Sequence, residues 1–171
     1  MTGADKLKLA YYRSFQGVFN VGERFMAWRK PELTTGPGSI AAIPSLLAAE
    51  GVHRPLLVTG PNIVKTIGRR IMSILDAAGY DYAVFSEVEA NPSVATAERC
   101  YALYKERLCD GFIALGGGSP MDTAKAAAAR AARPDRSLAE MAGVLRVGRP
   151  TPPLIACLLY PSPRPRDVEE S

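Results

Sequence analysis

An apolar run that passes through three consecutive glycines into an alanine-rich stretch constrains the fold of this chain most. The stretch reads IALGGGSPMDTAKAAAA and covers residues 113–129. Its apolar beginning predicts a buried strand, and its alanine-rich part predicts a helix that runs to about Arg133. Gly116, Gly117 and Gly118 therefore join the carboxyl end of a strand directly to the beginning of a helix.

The same alternation of short apolar runs and helical periods extends along most of the chain. A short helix with an N-cap at Ser39 is predicted to end at Gly51. Further strands are predicted at 55–59, 82–85, 111–115 and 153–157, and further helices at 63–78 and 97–108. Strands and helices that alternate at this spacing form right-handed βαβ units, so the sequence predicts an α/β fold with a doubly wound parallel sheet.

Composition excludes several classes of protein. A chain of 171 residues is expected to form one domain, and its net charge of +4 is scattered rather than clustered, so a nucleic-acid partner is not expected. No apolar run reaches the roughly 18 residues of a membrane span, and the charged first residues do not form a signal peptide. The three cysteines form no CxxC pair, which is typical of reduced thiols in a cytoplasmic protein.

The glycine turn is predicted to bind phosphate. Ser119 is expected to cap the following helix, with Pro120 in its first position and Asp122 in its third, near the free N–H groups. Glycines at the carboxyl end of a parallel strand let a ligand approach the backbone, and the helix N-terminus favours an anion. The alternative is a capped turn without a ligand. The stretch is neither a G-x-G-x-x-G fingerprint nor a P-loop.

Two other strand ends hold candidate ligand-binding residues. Asn91 precedes a proline, so it is either a turn residue alone or also a contact for the ligand. Gly60 follows the first strand and is either a turn residue or the floor of a nucleotide pocket. Thr123 and Lys125 have an equally good explanation as ordinary helix residues. His53, the single histidine, is expected to lie at the surface and not to bind a metal.

Several segments together resemble the iron-containing (group III) alcohol dehydrogenases. They are, in order, FNVGERFMAWRKPELTTGPGSIAAIPSLLAAEG, PLLVTG, VEANPSVATAE, CDGFIALGGGSPMDTAKA and PPLIA, and the similarity covers roughly residues 15–156. The resemblance implies a Rossmann-like dinucleotide-binding domain that precedes an all-helical domain holding a divalent metal, iron or zinc. It also implies hydride transfer between a small alcohol or aldehyde and NAD or NADP. Many members form homodimers, so a homodimer is an expectation here.

The resemblance assigns the same residues to the cofactor. The positions of Gly116, Gly117, Gly118 and Ser119 hold the pyrophosphate in that family, and those of Asp122 and Asn91 line the same cleft. The position of Gly60 often carries an aspartate that contacts the adenosine ribose. Because glycine removes a charge that would repel a 2′-phosphate, NADP is expected to be tolerated or preferred.

The chain departs from the family after Ala156. The family continues with a Pro-Thr-Thr-x-x-x-Gly-Ser-Glu-like segment, whereas this chain reads CLLYPSPRPRDVEES. We therefore predict an N-terminal extension (1–14), a dinucleotide-binding domain (15–157) and a tail without fixed structure (158–171), truncated before the helical domain.

The function expected of these residues follows from that organisation. The family's metal site uses an aspartate and three histidines of the second domain, so no catalytic or metal-binding residue is predicted in this chain. We expect it to be the cofactor-binding half of an alcohol dehydrogenase, without dehydrogenase activity alone. The alternative is an NAD(P)-binding module or a non-catalytic remnant of a frameshifted or truncated gene.

Overall fold

The structure, a computed structural model, describes residues 32–143 and 146–159. The chain divides into two compact units, Met1–Thr35 and Gly36–Ser171, and the fold below belongs to the second. The predicted boundary between residues 14 and 15 lies outside the described residues. So do residues 160–171, which make up most of the predicted tail. No helix in the described part of the chain is long and apolar enough to cross a membrane.

Four parallel strands form the sheet. They are β1 (Pro55–Val58), β2 (Ala83–Phe85), β3 (Gly111–Gly116) and β4 (Leu154–Leu158). Their order across the sheet is β2-β1-β3-β4, and each neighbouring pair is parallel. The predicted parallel α/β sheet is therefore confirmed. β4 continues one residue beyond the predicted domain boundary, because Leu158 still pairs with Gly116 of β3.

Helices connect the strands in the predicted order. They are α1 (Ile43–Ala49), α2 (Arg69–Ala77), α3 (Val94–Glu106) and α4 (Gly118–Ala132). A 3₁₀ turn at Ser39–Ala42 precedes α1, and a π-helical turn at Val64–Gly68 precedes α2. The predicted N-cap at Ser39 is wrong. Gly38 occupies the cap with a φ of 81°, a conformation that suits glycine better than serine.

Side chains alternate between the two faces of the sheet, which explains why helices cover both. Leu56 and Val58 of β1 pack into a cluster with α3 and α4, whereas Leu57 packs into a cluster with α1 and α2. β3 divides in the same way: Phe112 lies on the α3–α4 side and Ile113 on the other. The unbroken apolar runs of these strands thus reflect burial on both faces, as expected for a doubly wound sheet.

An ion pair joins α3 and α4 on their shared face. Arg130 Nε donates hydrogen bonds to the two carboxylate oxygens of Glu98, at 2.9 and 3.1 Å. Its Nη1 donates to the carbonyl oxygens of Arg133 and Arg136, and its guanidinium lies 4.9 Å from the centre of the Tyr101 ring. Arg130 therefore fixes the segment after α4 as well as the packing of the two helices.

Candidate functional site

The strand order creates a crevice between the carboxyl ends of β1 and β3. The chain leaves β1 toward β2 on one side of it, and it later returns to β3 on the other side. Helices that follow neighbouring strands on opposite faces diverge at such a point, and in open α/β sheets ligands bind there. Gly60 follows β1 by two residues and Gly116 ends β3, so both predicted residues lie at this crevice.

Gly116 is required by the fold, whereas the next two glycines leave room above the turn. The φ of Gly116 is 142°, and a Cβ atom there would lie 2.8 Å from Cγ of Pro120. Cβ atoms placed on Gly117 or Gly118 would meet no atom within 4 Å. Both residues are exposed. A ligand can therefore approach the backbone of Gly117 and Gly118, as a phosphate-binding turn requires.

The predicted cap of the following helix is wrong. α4 begins at Gly118 with Gly117 as N-cap, so Ser119 and Asp122 are its second and fifth residues and Pro120 its third. In the described first turn of α4 there is no acidic residue, and the cap makes no side-chain hydrogen bond. The extended backbone of Gly117 (φ −93°, ψ −151°) lets the helix begin earlier than expected, because glycine is an acceptable N-cap. The N-terminus of α4 thus lacks the side-chain acceptors that the sequence suggested.

Asn91 lies in the loop between β2 and α3. It is exposed and has a φ of 55°, in the left-handed region that asparagine tolerates better than most residues. Ser93 caps α3, since its Oγ accepts a hydrogen bond from the Thr96 N–H at 3.2 Å. Sequence reasoning missed this cap, although a serine directly before a helical period is the usual signal.

Glu89 closes the same loop from its other side. Its Oε1 accepts hydrogen bonds from Oγ1 of Thr96 at 2.7 Å and from the backbone N–H of Ser93 at 3.4 Å. These bonds, that of Thr96 first, lower the pKa of the Glu89 carboxyl below its ordinary value. Thr96 itself is fully buried. Glu89 was not among the predicted site residues.

An open groove brings this loop and α4 together. Its volume is about 300 Å³. The residues that line it are Pro92, Ser93, Val94, Ala97, Asp122, Thr123, Ala126 and Leu138. Asp122 therefore lines the same groove as Pro92 and Ser93, the two residues that follow Asn91. Thr123 is buried and its hydroxyl donates to the Ser119 carbonyl at 2.9 Å, while Lys125 is exposed.

Thr59 organises the strand ends beneath the crevice. It is fully buried, and its hydroxyl donates a hydrogen bond to the Leu115 carbonyl of β3 at 2.9 Å. Its backbone N–H donates to the Phe85 carbonyl of β2 at 2.9 Å. Next to it, a Cβ on Gly60 would lie 3.3 Å from the Val88 carbonyl oxygen. Gly60 thus contacts the β2–α3 connection. No pattern in the sequence distinguished Thr59 from an ordinary strand residue.

His53 lies at the opposite end of β1 and is exposed, as predicted. Its backbone N–H donates to Oδ2 of Asp110 at 2.8 Å, and the Arg54 N–H donates to Oδ1 at 2.8 Å. Among residues 32–143 and 146–159, no group of three or more histidine, cysteine, aspartate and glutamate side chains is arranged to hold a metal ion. The described residues therefore do not fit the metal that the family resemblance implies.

The sheet, its switch point and the glycine turn define a Rossmann-like α/β domain. The chain belongs to the iron-containing alcohol dehydrogenase family, whose model matches residues 31–162. The resemblance found in the sequence is thereby confirmed, and oxidoreductase is the class of the family.

Individual relatives are similar over part of their length. Choline dehydrogenase of Bacillus subtilis is 42% identical over 92 residues, which are 53% of this chain and 23% of that protein. The solved structure of an alcohol dehydrogenase from Oenococcus oeni is 31% identical, with a TM-score of 0.68 over 73% of this chain and 33% of the other. Sulfoacetaldehyde reductase from Bifidobacterium kashiwanohense, solved in complex with NAD+, is 29% identical, with a TM-score of 0.59 over 77% and 35%. The chain thus spans about a third or less of the length of these proteins.

Proposed function

We propose that this chain binds a nicotinamide dinucleotide in the crevice between β1 and β3. The observation that carries the proposal is the turn at Gly116, Gly117 and Gly118, which stands at the switch point of the sheet with open space above it. The pyrophosphate would accept hydrogen bonds from backbone N–H groups of this turn and from Ser119, at the positive end of α4. Asn91 and Asp122 would contact the rest of the dinucleotide along the adjoining groove.

The proposal includes the adenosine side of the cofactor. Gly60 lies at the end of β1, where a carboxylate would repel a 2′-phosphate, and glycine carries none. We infer that NADP is tolerated at least as well as NAD. The dinucleotide would supply or accept the hydride, while the residues named here would bind and orient it.

The reaction proposed for the complete active site is oxidation of an alcohol or reduction of an aldehyde. Two of the similar proteins are a choline dehydrogenase and a sulfoacetaldehyde reductase, which is consistent with this class. We infer that the 171 residues contribute the cofactor-binding part and do not turn over an alcohol alone. The metal ligands implied by the resemblance include three histidines, whereas this sequence has one.

A second candidate is a nucleotide-binding module without catalysis. The same glycine turn and the open groove beside it would serve such a module. Both candidates predict that these residues do not turn over an alcohol alone, and purified protein incubated with NAD or NADP, an alcohol and added iron or zinc tests that expectation. Turnover would exclude the module and would also contradict our inference that the chain is inactive alone.

The binding proposal is tested by calorimetric titration with NADH and NADPH of wild type and of Gly117→Val. The φ of −93° and the open space at Gly117 accept a side chain, so this variant is expected to fold normally. Its methyl groups would occupy the space proposed for the pyrophosphate, and we expect affinity to fall at least tenfold, about 1.4 kcal/mol. Ala48→Val, at an exposed position of α1, is the control and should bind as wild type does. Equal affinity in Gly117→Val would exclude the turn as the phosphate site.

Cofactor preference is tested separately at Gly60. Gly60→Asp is expected to weaken NADPH more than NADH, because the new carboxylate repels the 2′-phosphate. Any side chain at this position must displace the Val88 carbonyl slightly, so Gly60→Ala is the matched control for the added Cβ. A wild-type protein that clearly prefers NADH would contradict the inference.

A further inference from the structure

We propose that Glu89 is a positioning residue that holds Asn91 in the conformation in which it meets the dinucleotide. Glu89 lies two residues before Asn91 and four before Ser93, outside any helix. Its carboxylate accepts hydrogen bonds from Ser93 and Thr96, which follow Asn91 in the sequence. These bonds join the two ends of the loop that contains Asn91. This inference rests on the proposed cofactor site and extends it to a residue behind the site.

The carboxylate of Glu89 adds to the helix cap rather than forming it, although both engage Thr96, whose Oγ1 lies 3.0 Å from Ser93 Oγ. Ser93 already caps α3 by accepting the N–H of Thr96, so the helix has its own cap without Glu89. Glu89 Oε1 instead receives the Thr96 hydroxyl at 2.7 Å and the Ser93 N–H at 3.4 Å. Because Thr96 is fully buried, its hydroxyl is a fixed point against which the loop is held. A charged acceptor at this distance makes a strong hydrogen bond.

Asn91 needs such support because its backbone conformation is uncommon. A φ of 55° costs free energy for any residue with a side chain, and the surroundings must hold it there. Asn91 itself is exposed, so packing around its side chain does not fix it. The hydrogen bonds that Glu89 accepts from Ser93 and Thr96 connect the residues before and after Asn91. They therefore restrict the loop to few conformations. The loop then reaches the groove already ordered, which reduces the entropy lost on binding.

The neighbouring acid Glu87 offers a control with similar chemistry. Its Oε2 lies 3.4 Å from Nε of Arg99, and both side chains are more than half exposed. An exposed ion pair of this kind contributes little. Neutralising Glu87 removes one negative charge from the same region and leaves both hydrogen-bond partners of Glu89, Ser93 and Thr96, in place. An effect seen for Glu89 and absent for Glu87 therefore does not arise from net charge.

The test is a double-mutant cycle measured by NADPH affinity, with Glu89→Ala, Asn91→Ala and the double variant. Glu89→Ala alone is expected to weaken binding about five- to tenfold, within the usual range of couplings between neighbouring residues. In the Asn91→Ala background the same change should have little further effect. Glu89→Gln keeps an acceptor oxygen and should recover most of the affinity, and Glu87→Gln should bind as wild type does.

Hydrogen exchange of the Ser93 amide reports on the loop without any cofactor. Faster exchange in Glu89→Ala, but not in Glu87→Gln, supports the closure. Wild-type affinity in Glu89→Ala, or full additivity with Asn91→Ala, would overturn the positioning role even if the protein binds NADPH. A wild-type protein that binds no dinucleotide would instead overturn the proposed function and, with it, the role of Glu89 toward a cofactor. If Glu89→Ala does not fold, Thr96→Val, which removes the hydroxyl that Glu89 Oε1 accepts, takes its place in the cycle and in the exchange measurement.

Discussion

Thr59 is the residue whose single hydroxyl links β1 to β3 beneath the proposed pyrophosphate. Thr59→Val keeps the shape of the side chain but removes the hydrogen bond to the Leu115 carbonyl in a buried place. We expect a loss of about 1–2 kcal/mol in the free energy of unfolding, because the carbonyl loses its partner. Urea unfolding measures this loss.

Thr66 provides the control for Thr59. Its hydroxyl donates to the Ile63 carbonyl at 3.2 Å, but the bond is exposed. Water can replace it, so Thr66→Val should change stability by no more than about 0.5 kcal/mol. Equal losses of unfolding free energy in the two variants would show that the buried hydrogen bond of Thr59 stabilises the fold no more than an exposed one.

At the scale of single residues, the sequence predicted the place of the candidate glycines in the fold better than the local geometry around them. Gly60 and Gly116 do lie at the carboxyl ends of β1 and β3, because a glycine turn after a buried strand has few other places in an α/β fold. The cap at Ser119 was wrong since three consecutive glycines allow the helix to begin at more than one residue. Glu89 and Thr59 were missed because their roles depend on contacts with residues that only the folded chain brings near.

At the scale of elements, the pairing of α3 with α4 depends on Arg130. Its side chain is 17% exposed and that of Glu98 is 37% exposed, so the pair is partly shielded from water. Arg130→Met keeps the apolar stem and removes the charge together with its hydrogen bonds to Glu98, Arg133 and Arg136. We expect the free energy of unfolding to fall by about 2 kcal/mol. Thermal or urea unfolding measures the change.

An exposed ion pair serves as the control for that prediction. Nε of Arg107 lies 3.9 Å from Oε1 of Glu106, and the two side chains are 62% and 72% exposed. Arg107→Met should therefore cost no more than about 0.5 kcal/mol. A loss in Arg130→Met as small as that in Arg107→Met would mean that the helices pack without help from the pair.

The elements themselves were largely predictable. Strands buried on both faces give unbroken apolar runs, and the helices between them keep a clear period, so their order and type follow from the sequence. The strand order β2-β1-β3-β4 was not predictable, since each run is equally apolar and pairing depends on contacts between distant segments. The π-helical turn before α2 was also missed, because nothing in its apolar spacing distinguishes it from an α-helix.

At the scale of the whole molecule, buried thiols are expected to lower the free energy of unfolding at alkaline pH. Burial raises the pKa of Cys100 to about 12 and that of Cys109 to about 11, from an ordinary value of 9.0. The folded state therefore keeps both thiols protonated at a pH where the unfolded state releases their protons. Stability is fully present below pH 9 and falls as the pH rises from there toward these values.

Urea unfolding at several pH values between 7 and 10.5 tests this dependence. The contribution of the two thiols to the free energy of unfolding should stay constant up to about pH 9, their ordinary pKa, and should then decrease. Cys100→Ala is expected to be less stable at neutral pH because of the cavity, yet to show a shallower alkaline decline. An unchanged alkaline slope in that variant would show that the Cys100 thiol is not responsible.

The proposed function depends on one claim, that a dinucleotide binds on the glycine turn at the switch point of the sheet. The most direct measurement is the change in backbone amide NMR signals of the ¹⁵N-labelled chain when NADPH is added. We predict saturable shifts at Gly117, Gly118 and Ser119, with smaller ones at Gly60 and Asn91, and none at His53 at the other end of β1. A folded protein whose turn signals do not move, or whose shifts lie away from the carboxyl ends of the strands, would contradict the claim.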